Sequence, residues 1–281
     1  HGCSYCFARP YHAFWGLSAG LDFETQLFVK PEADERLRSA LARRGHRPEP
    51  IALGTATDPY QPIERRYRIT RSLLEVLLEH RHPVGIVTKN ALVPRDRDLL
   101  HALAEQRLAH VFVSITTLDH ELARRMEPRA STPGRRLKAI ERLADAEIPV
   151  GVLVSPVIPG LNDHELEPVL EAAANRGARR AGSTLLRLPH ELKDLFFSWL
   201  RTHAPHREER VRKLLTSCHE GKLYRSGFGE RMGGSGPYAE LLRQRFRKGL
   251  RRYGLTDAIY PFDVQAFRQP RTDPRQLPLF G

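Results

Sequence analysis

The chain has 281 residues, 41% of them hydrophobic and 28% charged, which suits one large α/β domain or two small ones. Three cysteines are too few for a disulfide framework, and the absence of an uncharged apolar run of about 18 residues excludes a membrane span, so we expect a cytoplasmic protein. The formal charge of +12 favours polyanionic partners, nucleic acid above all, although an arginine-rich composition produces the same charge without such a partner.

Five short β-branched segments alternate with segments of helical period through the first two thirds of the chain. The strand-like segments are 51–55, 84–88, 111–116, 150–158 and 183–188. The helical segments between them include 31–45, 69–80 and 133–146. A strand and a helix that repeat about every 30 residues are typical of βα units around a parallel sheet. The sequence therefore predicts an α/β fold.

This alternation ends near residue 190. Segments 189–204, 206–220 and 236–254 have helical period, and no convincing strand follows them. From residue 256 the chain is polar and rich in proline, which predicts an extended, mobile tail. We therefore predict three regions: a barrel-like region over 1–188, a helical extension over 189–255 and a flexible tail over 256–281.

Polar residues follow each of the five predicted strands. The carboxyl ends of parallel strands in a barrel meet at one rim, and the chemistry of such folds takes place there. We therefore expect a site at this rim. The polar residues concerned are Thr55, Thr57, Asp58, Thr88, Lys89, Asn90, Ser114, Thr116, Ser155 and Arg187.

The chain opens with HGCSYCFARP, which places Cys3 and Cys6 in a C-x-x-C pair. This spacing suits a zinc site with His1 or His12 as a further ligand. It also suits a dithiol redox pair, although such pairs begin a helix and no helix is predicted after Cys6. A third interpretation is an iron–sulfur cluster with one more thiolate upstream, because a motif at position one and the missing initiator Met predict that residues precede His1.

The same loop resembles the hallmark of the radical S-adenosylmethionine (SAM) enzymes, C-x-x-x-C-x-aromatic-C, with Tyr5 as the aromatic residue. The first cysteine would stand two residues before His1, and the first barrel strand would also lie upstream. Other segments resemble the spore photoproduct lyase-like branch, and within it bacterial proteins labelled DNA repair photolyase-like. These segments are ALGTATDPYQPIE, GIVTKN, EPRASTPGRRLKAIERL, SPVIPGLND and GKLYRSGFGERMGGSGPYAE.

The resemblance covers essentially the whole chain. It implies a partial (β/α)6 TIM-like barrel with a helical C-terminal extension and an extended tail. It also implies two cofactors, a 4Fe-4S cluster and S-adenosyl-L-methionine, whose cleavage yields a 5′-deoxyadenosyl radical. Cys3 and Cys6 would be the metal ligands, and Tyr5 would lie on the adenine side of SAM.

Several further residues match positions that contact SAM in the family. Thr55, Thr57 and Asp58 would surround the methionyl amino group, while Lys89 and Ser114 would contact its carboxylate and the ribose. The segment from Ser155 to Gly160 would lie alongside the adenine. Arg129 is either a second carboxylate partner, for which its forked guanidinium is suited, or a solvated arginine.

One departure limits what the resemblance implies about the reaction. Spore photoproduct lyases carry a hydrogen-donating cysteine just before the S-D segment that ends their second strand, where this chain has Thr55 or Ala56. Neither residue donates a hydrogen atom easily, and we expect Cys218 to be a buried helix cysteine. We predict a lyase-like radical SAM enzyme that takes hydrogen from a nucleic-acid or nucleic-acid-associated substrate, as in DNA repair. The alternatives are a radical SAM maturase acting on a protein or small metabolite, and a non-catalytic zinc-bearing nucleic-acid-binding protein.

The C-terminal segment QLPLF resembles the peptide by which bacterial repair and replication proteins dock on the DNA sliding clamp. A proline-rich tether would carry the apolar anchors to that partner. The alternative is that these apolar residues pack back on the barrel. The predicted contact residues are Gln276, Leu277, Leu279 and Phe280. We also expect an electron donor such as flavodoxin or ferredoxin, and no membrane partner.

Overall fold

One sheet of five parallel strands forms the centre of the protein, and its spatial order equals its chain order. The computed structural model describes residues 1–227 and 232–269. The strands are β1 (Ile51–Leu53), β2 (Val84–Thr88), β3 (Ala109–Ser114), β4 (Val150–Val157) and β5 (Arg180–Leu185). Each coincides with a predicted β-branched segment, although β5 begins at residue 180 rather than 183. The predicted α/β class is confirmed.

Helices connect the successive strands, as parallel pairing requires. Those of the barrel region are α1 (Asp22–Thr25), α2 (Ala33–Leu41), α3 (Glu64–Tyr67), α4 (Ile69–Glu79), α5 (Arg97–Ala104), α6 (His120–Met126), α7 (Pro133–Asp145) and α8 (Leu166–Ala174). The predicted helices at 31–45, 69–80 and 133–146 are present as α2, α4 and α7. The sequence analysis named neither α5 nor α8.

The helical extension contains α9 (Leu192–His203), α10 (Glu208–Ser217) and α11 (Gly236–Tyr253), as predicted. Helix α11 packs against α8, where a Cβ added to Gly249 would lie 2.6 Å from Leu170. Cys218 follows α10 and is fully buried, as expected. Short 3₁₀ helices also occur, and the one at Arg9–Trp15 follows the cysteine pair, where no helix was predicted. None of the described helices is long and apolar enough to cross a membrane.

The two faces of the sheet carry different side chains because alternate residues of a strand point to opposite faces. In β3, Val111 and Val113 belong to the apolar core, whereas His110 and Phe112 share the other face. Gly151 on β4 pairs with Phe112 on β3, and a Cβ added to Gly151 would lie 2.6 Å from the Phe112 ring. The glycine therefore leaves the space that this ring needs.

Residues 256–269 form what we call the closing strap, which runs along the amino ends of the strands. Its backbone pairs with Arg180 at the start of β5. The N–H groups of Asp263 and Arg268 then donate to the carbonyls of Arg107 and His80, which precede β3 and β2. The Tyr260 ring lies 5.1 Å from His110, and the Phe262 ring faces Gly85. The sequence predicted a mobile tail from 256, whereas these contacts anchor 256–269; residues 270–281 lie outside the described part of the chain.

Candidate active site

The cysteine pair lies in a tight turn between the start of the chain and α6. The backbone N–H of Cys6 donates to the Cys3 carbonyl at 3.2 Å, and the N–H of Ser4 donates to the Met126 carbonyl at 2.9 Å. Both thiols are free; Cys3 is 6% exposed and Cys6 is half-buried. Two free thiols presented three residues apart on one turn are a donor set that fits a thiolate-ligated metal or cluster.

Arg9 holds this turn through hydrogen bonds to its backbone, a role that was not predicted from the sequence. Its buried guanidinium donates to Glu24 at 2.6 Å. The same group donates to backbone carbonyls on both sides of the turn, at 2.9 Å to Cys3, 3.1 Å to Gly2, 2.9 Å to Ala19 and 3.0 Å to Gly20. A planar donor with five N–H groups therefore holds the cysteine turn against the 19–24 segment.

Arg129 approaches the same carboxylate from the other side. Its guanidinium donates to Glu24 at 3.0 Å, and a Cβ added to Gly2 would lie 2.2 Å from this guanidinium. Burial raises the pKa of Glu24, but the hydrogen bonds from Arg9 and Arg129 outweigh it and lower the pKa overall. Arg129 is thus paired within the chain, a third outcome beside the carboxylate contact and the solvated arginine that the sequence left open.

Tyr5 is anchored to a buried ion pair. The hydroxyls of Tyr5 and Thr116 both donate to Glu127, the second at 2.7 Å, and the two hydroxyl oxygens lie 3.1 Å apart. Arg136 of α7 pairs with the other carboxylate oxygen of Glu127, and the two side chains are 1% and 0% exposed. Burial raises the pKa of Glu127 even though Arg136 lowers it. The aromatic residue between the cysteines is therefore held at its hydroxyl by a group 122 positions away in sequence.

Lys89 places a positive charge beside the cysteine turn. Its ammonium lies 5.8 Å from the centre of the Tyr5 ring and donates to the Ser155 carbonyl at 3.4 Å. Burial lowers the pKa of Lys89, while Cys3 and Asp58 act in the opposite direction. Burial also raises the pKa of the Cys3 thiol to about 12, and the Glu127 carboxylate adds to this rise. Within the described residues Lys89 has no ion-pair partner, so it is available to an anionic ligand.

Asp58 uses its carboxylate within its own chain. It accepts hydrogen bonds from the backbone of Tyr60 at 2.8 Å, from the Thr88 hydroxyl at 2.7 Å and from the backbone of Lys89 at 2.7 Å. His1 lies 3.3 Å from the same carboxylate. Asp58 therefore joins the loop after β1 to the end of β2. The preceding residues Thr55 and Thr57 are exposed and make no described contact with the cysteine turn.

Two serines near the turn carry buried hydroxyls without a partner. The Oγ atoms of Ser4 and Ser114 form no hydrogen bond in the described structure. Ser155, by contrast, hydrogen-bonds the Thr184 hydroxyl through its side chain. Buried polar atoms are nearly always satisfied. Unpaired hydroxyls beside free thiols, and an ammonium without a described ion-pair partner, therefore fit a site for a polar ligand.

The structure thus brings some of the predicted residues together and separates others. Lys89 contacts both the Tyr5 ring and the Ser155 carbonyl, and Cys3 lies in the same turn as Tyr5. Ser114 joins them through its carbonyl, which accepts from Arg136 at 3.1 Å. Arg9, Glu127 and Arg136 belong to the site and were not assigned to it from the sequence, whereas Thr116 was among the polar residues expected at the rim. The tail residues from Gln276 to Phe280 lie outside the described residues.

Comparison with known proteins identifies the family and the fold of the chain. A family model described as the Radical SAM superfamily, whose cofactors are SAM and an iron–sulfur cluster, matches residues 1–173. An uncharacterized protein of Mycobacterium tuberculosis is 35% identical over 262 residues, which is 91% of this chain and 72% of the relative. An uncharacterized protein of Methanocaldococcus jannaschii is 27% identical over 165 residues, covering 59% of each chain.

Solved structures of spore photoproduct lyase share the fold. One mutant has a TM-score of 0.61 at 16% identity, covering 92% of this chain and 73% of that one. Another, with bound AdoMet and dinucleoside spore photoproduct, has a TM-score of 0.59 at 16% identity and the same coverage. The partial TIM-like barrel implied by the sequence resemblance is confirmed. With the family model matching more than half of its length, the chain belongs to the radical SAM superfamily.

Proposed function

We propose that this protein is a radical SAM enzyme that carries a 4Fe-4S cluster and takes a hydrogen atom from a nucleic-acid substrate. The cysteine turn is the observation that supports the proposed 4Fe-4S cluster. Two free thiols are held in one turn by Arg9 from one side and by the Tyr5–Glu127–Arg136 chain from the other. In this proposal the third thiolate comes from a cysteine two residues before His1.

The residues around the turn have distinct proposed roles. Cys3 and Cys6 hold the cluster, and Lys89 binds the carboxylate of SAM because it is a partly desolvated cation without an ion-pair partner among the described residues. The unpaired Ser114 hydroxyl offers a hydrogen bond to the same ligand. The bound cofactors supply a 5′-deoxyadenosyl radical when an electron arrives, for which flavodoxin or ferredoxin is the proposed donor.

We propose a supporting role for some residues near the turn. Asp58 positions Lys89, since its carboxylate accepts from the Lys89 backbone N–H. Arg129 and Arg9 converge on Glu24 and so fix the cysteine turn. We propose both as positioning residues rather than SAM contacts. Thr55 and Thr57 remain proposed SAM contacts, and their exposure leaves them free to make that contact.

A nucleic-acid substrate is supported by charge and by analogy of fold. The chain has a formal charge of +12, and solved spore photoproduct lyases of the same fold are described with a dinucleoside spore photoproduct. Thr55 or Ala56 stands where those enzymes have a hydrogen-donating cysteine. We therefore propose a repair-like, cytoplasmic enzyme that shares hydrogen abstraction with them and completes the reaction differently. A sliding clamp contacted through Gln276 to Phe280 is the proposed partner.

Anaerobic reconstitution tests the cofactor proposal. The chain, preceded by a segment with cysteine two residues before His1, is supplied with iron and sulfide and compared with its Cys6→Ala variant. We expect the broad visible absorbance of an iron–sulfur cluster in the parent, and 5′-deoxyadenosine after addition of SAM and dithionite. The variant should lose both. Zinc without iron or sulfide in the purified parent would contradict the proposal and favour the zinc-bearing alternative.

Binding across a salt series tests the substrate class separately. Each phosphate contact releases counterions, so the affinity of a nucleic-acid-binding enzyme falls steeply as the salt concentration rises. We expect this steep dependence with DNA oligonucleotides. Absence of measurable binding at low salt would contradict the nucleic-acid substrate and favour the maturase alternative, while leaving the cofactor result unaffected.

A further inference from the structure

Four aromatic rings stand in solvent beside the cysteine turn, and we call them the aromatic shelf: Tyr11, Phe14, Trp15 and Phe28. Phe14 is 84% exposed and Trp15 is 67% exposed. The rings are arranged in two stacked pairs. Tyr11 and Phe14 have centroids 6.3 Å apart, and Trp15 and Phe28 have centroids 4.9 Å apart. Single exposed apolar side chains are common, but clustered rings of this size mark a binding surface.

Three of the four shelf residues lie on one short helix that is attached to the cysteine turn. Tyr11, Phe14 and Trp15 lie on the 3₁₀ helix Arg9–Trp15, which begins with the buried Arg9. The guanidinium of Arg9 is fixed by Glu24 and by the carbonyl of Cys3. The shelf is therefore attached to the same arginine that fixes the cysteine turn.

A groove of about 370 Å³ connects the shelf to the end of β5. Phe7, which follows Cys6, lines it together with Tyr11, Phe14 and Arg187. The Arg187 guanidinium lies 4.8 Å from the centre of the Phe7 ring, and its Nε is buried without a hydrogen-bond partner in the described structure. The groove thus combines flat apolar faces with a cation that forms no ion pair among the described residues, although Arg187 donates to the Met232 sulfur at 3.7 Å and Glu191 also lines the groove.

We propose that the shelf and groove bind unpaired bases of single-stranded nucleic acid, with Arg187 contacting a backbone phosphate. Aromatic side chains stack on the faces of bases of any sequence, and a basic residue tracks the backbone. The chain's charge of +12 complements such a polyanion, whereas an apolar protein partner would leave Arg187 unsatisfied. The inference rests on the proposed nucleic-acid substrate and narrows it to bases that are not paired in a duplex.

Fluorescence anisotropy with matched strands tests stacking directly. The probes are a labelled oligothymidylate, an abasic strand of equal length and a duplex. The proteins are the parent, the Phe14→Ala/Trp15→Ala double variant and Ile259→Ala as the control. Ile259 is 90% exposed and lies in the closing strap, at the opposite end of the strands. These three substitutions remove exposed side chains, and equal thermal unfolding of the proteins checks that the fold is retained.

We expect the parent to bind oligothymidylate about tenfold or more tightly than the abasic strand, because each stacked base contributes to affinity. The double variant should bind both strands equally, and Ile259→Ala should keep the parent's preference. Arg187→Gln should lower the affinity for both strands by the same factor, since both strands carry phosphates. Equal binding of the two strands by the parent, or an unchanged preference in the double variant, would overturn the proposal.

Two further measurements distinguish this proposal from the proposed radical chemistry and from self-association of the protein. Formation of 5′-deoxyadenosine without nucleic acid reports the radical chemistry alone, and we expect it to be unchanged in the double variant. Its absence in the parent would contradict the proposed function while leaving the stacking result valid. Sedimentation tests whether a second copy covers the shelf. A dimeric parent that the double variant converts to a monomer would contradict nucleic acid as the occupant.

Discussion

Arg136→Met tests the buried ion pair that anchors Tyr5. The guanidinium of Arg136 donates to the carbonyls of Ser131 at 2.7 Å and Ser114 at 3.1 Å, and it pairs with Glu127. Methionine preserves the apolar stem but removes every donor. The substitution therefore leaves the carboxylate of Glu127 buried without its counter-charge, together with two carbonyls that have lost a partner.

The expected loss is large because water reaches neither side chain. Removing one partner of a buried ion pair costs about 3–5 kcal/mol in the free energy of unfolding. With a few degrees lost per kcal/mol in a chain of this size, the melting temperature should fall by roughly 10 °C. Glu127→Gln in the Arg136→Met background removes the unpaired charge, so the double variant should recover about half of the loss.

Urea denaturation of the three proteins measures these differences, with Arg135→Met as the control. Arg135 is the neighbouring arginine on α7 and is exposed, so its substitution should change stability by less than about 0.5 kcal/mol. The reasoning is refuted if Arg136→Met stays within about 1 kcal/mol of the parent, or if the double variant is less stable than the single one.

Three further predictions concern other parts of the chain. Asp58→Asn should cost about 1–3 kcal/mol in urea denaturation, because the amide nitrogen replaces one of two accepting oxygens. The Thr88 hydroxyl or the Lys89 backbone N–H then loses its acceptor, and an unchanged midpoint would contradict this. Burial, and secondarily Arg180, lowers the pKa of His110 from 6.5 to about 4. As the pH falls from 6.5 to about 4, the unfolded state therefore takes up a proton before the folded state does. The free energy of unfolding of the parent should decrease by up to about 3 kcal/mol over this range. His110→Asn should lose less over the same window, and an identical pH profile would rule out the buried histidine as the cause. A labelled 268–281 peptide should bind bacterial sliding clamp with micromolar affinity in fluorescence polarisation, and its Leu277→Ala/Phe280→Ala form should not; no binding by the natural peptide would end the clamp proposal.

The sheet and most helices follow from local sequence pattern. β-branched runs marked the strands most clearly at β2, β3 and β4, because these strands are largely buried and need apolar residues on both faces. The strap at 256–269 gave no such signal. Its placement depends on hydrogen bonds from its backbone to the backbone of Arg107 and His80. Almost every residue type can form such bonds, so the sequence does not predict them. A polar, proline-containing stretch therefore resembled a mobile tail although it closes one end of the barrel.

The sequence predicts the site residues that belong to a short local motif. It does not predict the residues that reach the site through contacts between distant parts of the chain. Cys3, Cys6 and Tyr5 stand within four residues and carry a recognisable motif. Glu127 and Arg136 pair across the fold with that motif, so no local spacing reveals them. One signal was present: Arg136 lies on the buried face of α7 with Ile140 and Leu143, and an arginine at such a position requires a buried partner.

Transfer of deuterium from substrate to cofactor product tests the central claim most directly. The reconstituted protein is incubated with SAM, a reductant and deuterated single-stranded DNA, with and without ultraviolet irradiation of the DNA, and the 5′-deoxyadenosine is analysed by mass spectrometry. A hydrogen atom taken from the nucleic acid predicts a product heavier by one mass unit. Unlabelled 5′-deoxyadenosine from every DNA sample would contradict a nucleic-acid substrate, and absence of the product would contradict radical SAM chemistry in this chain.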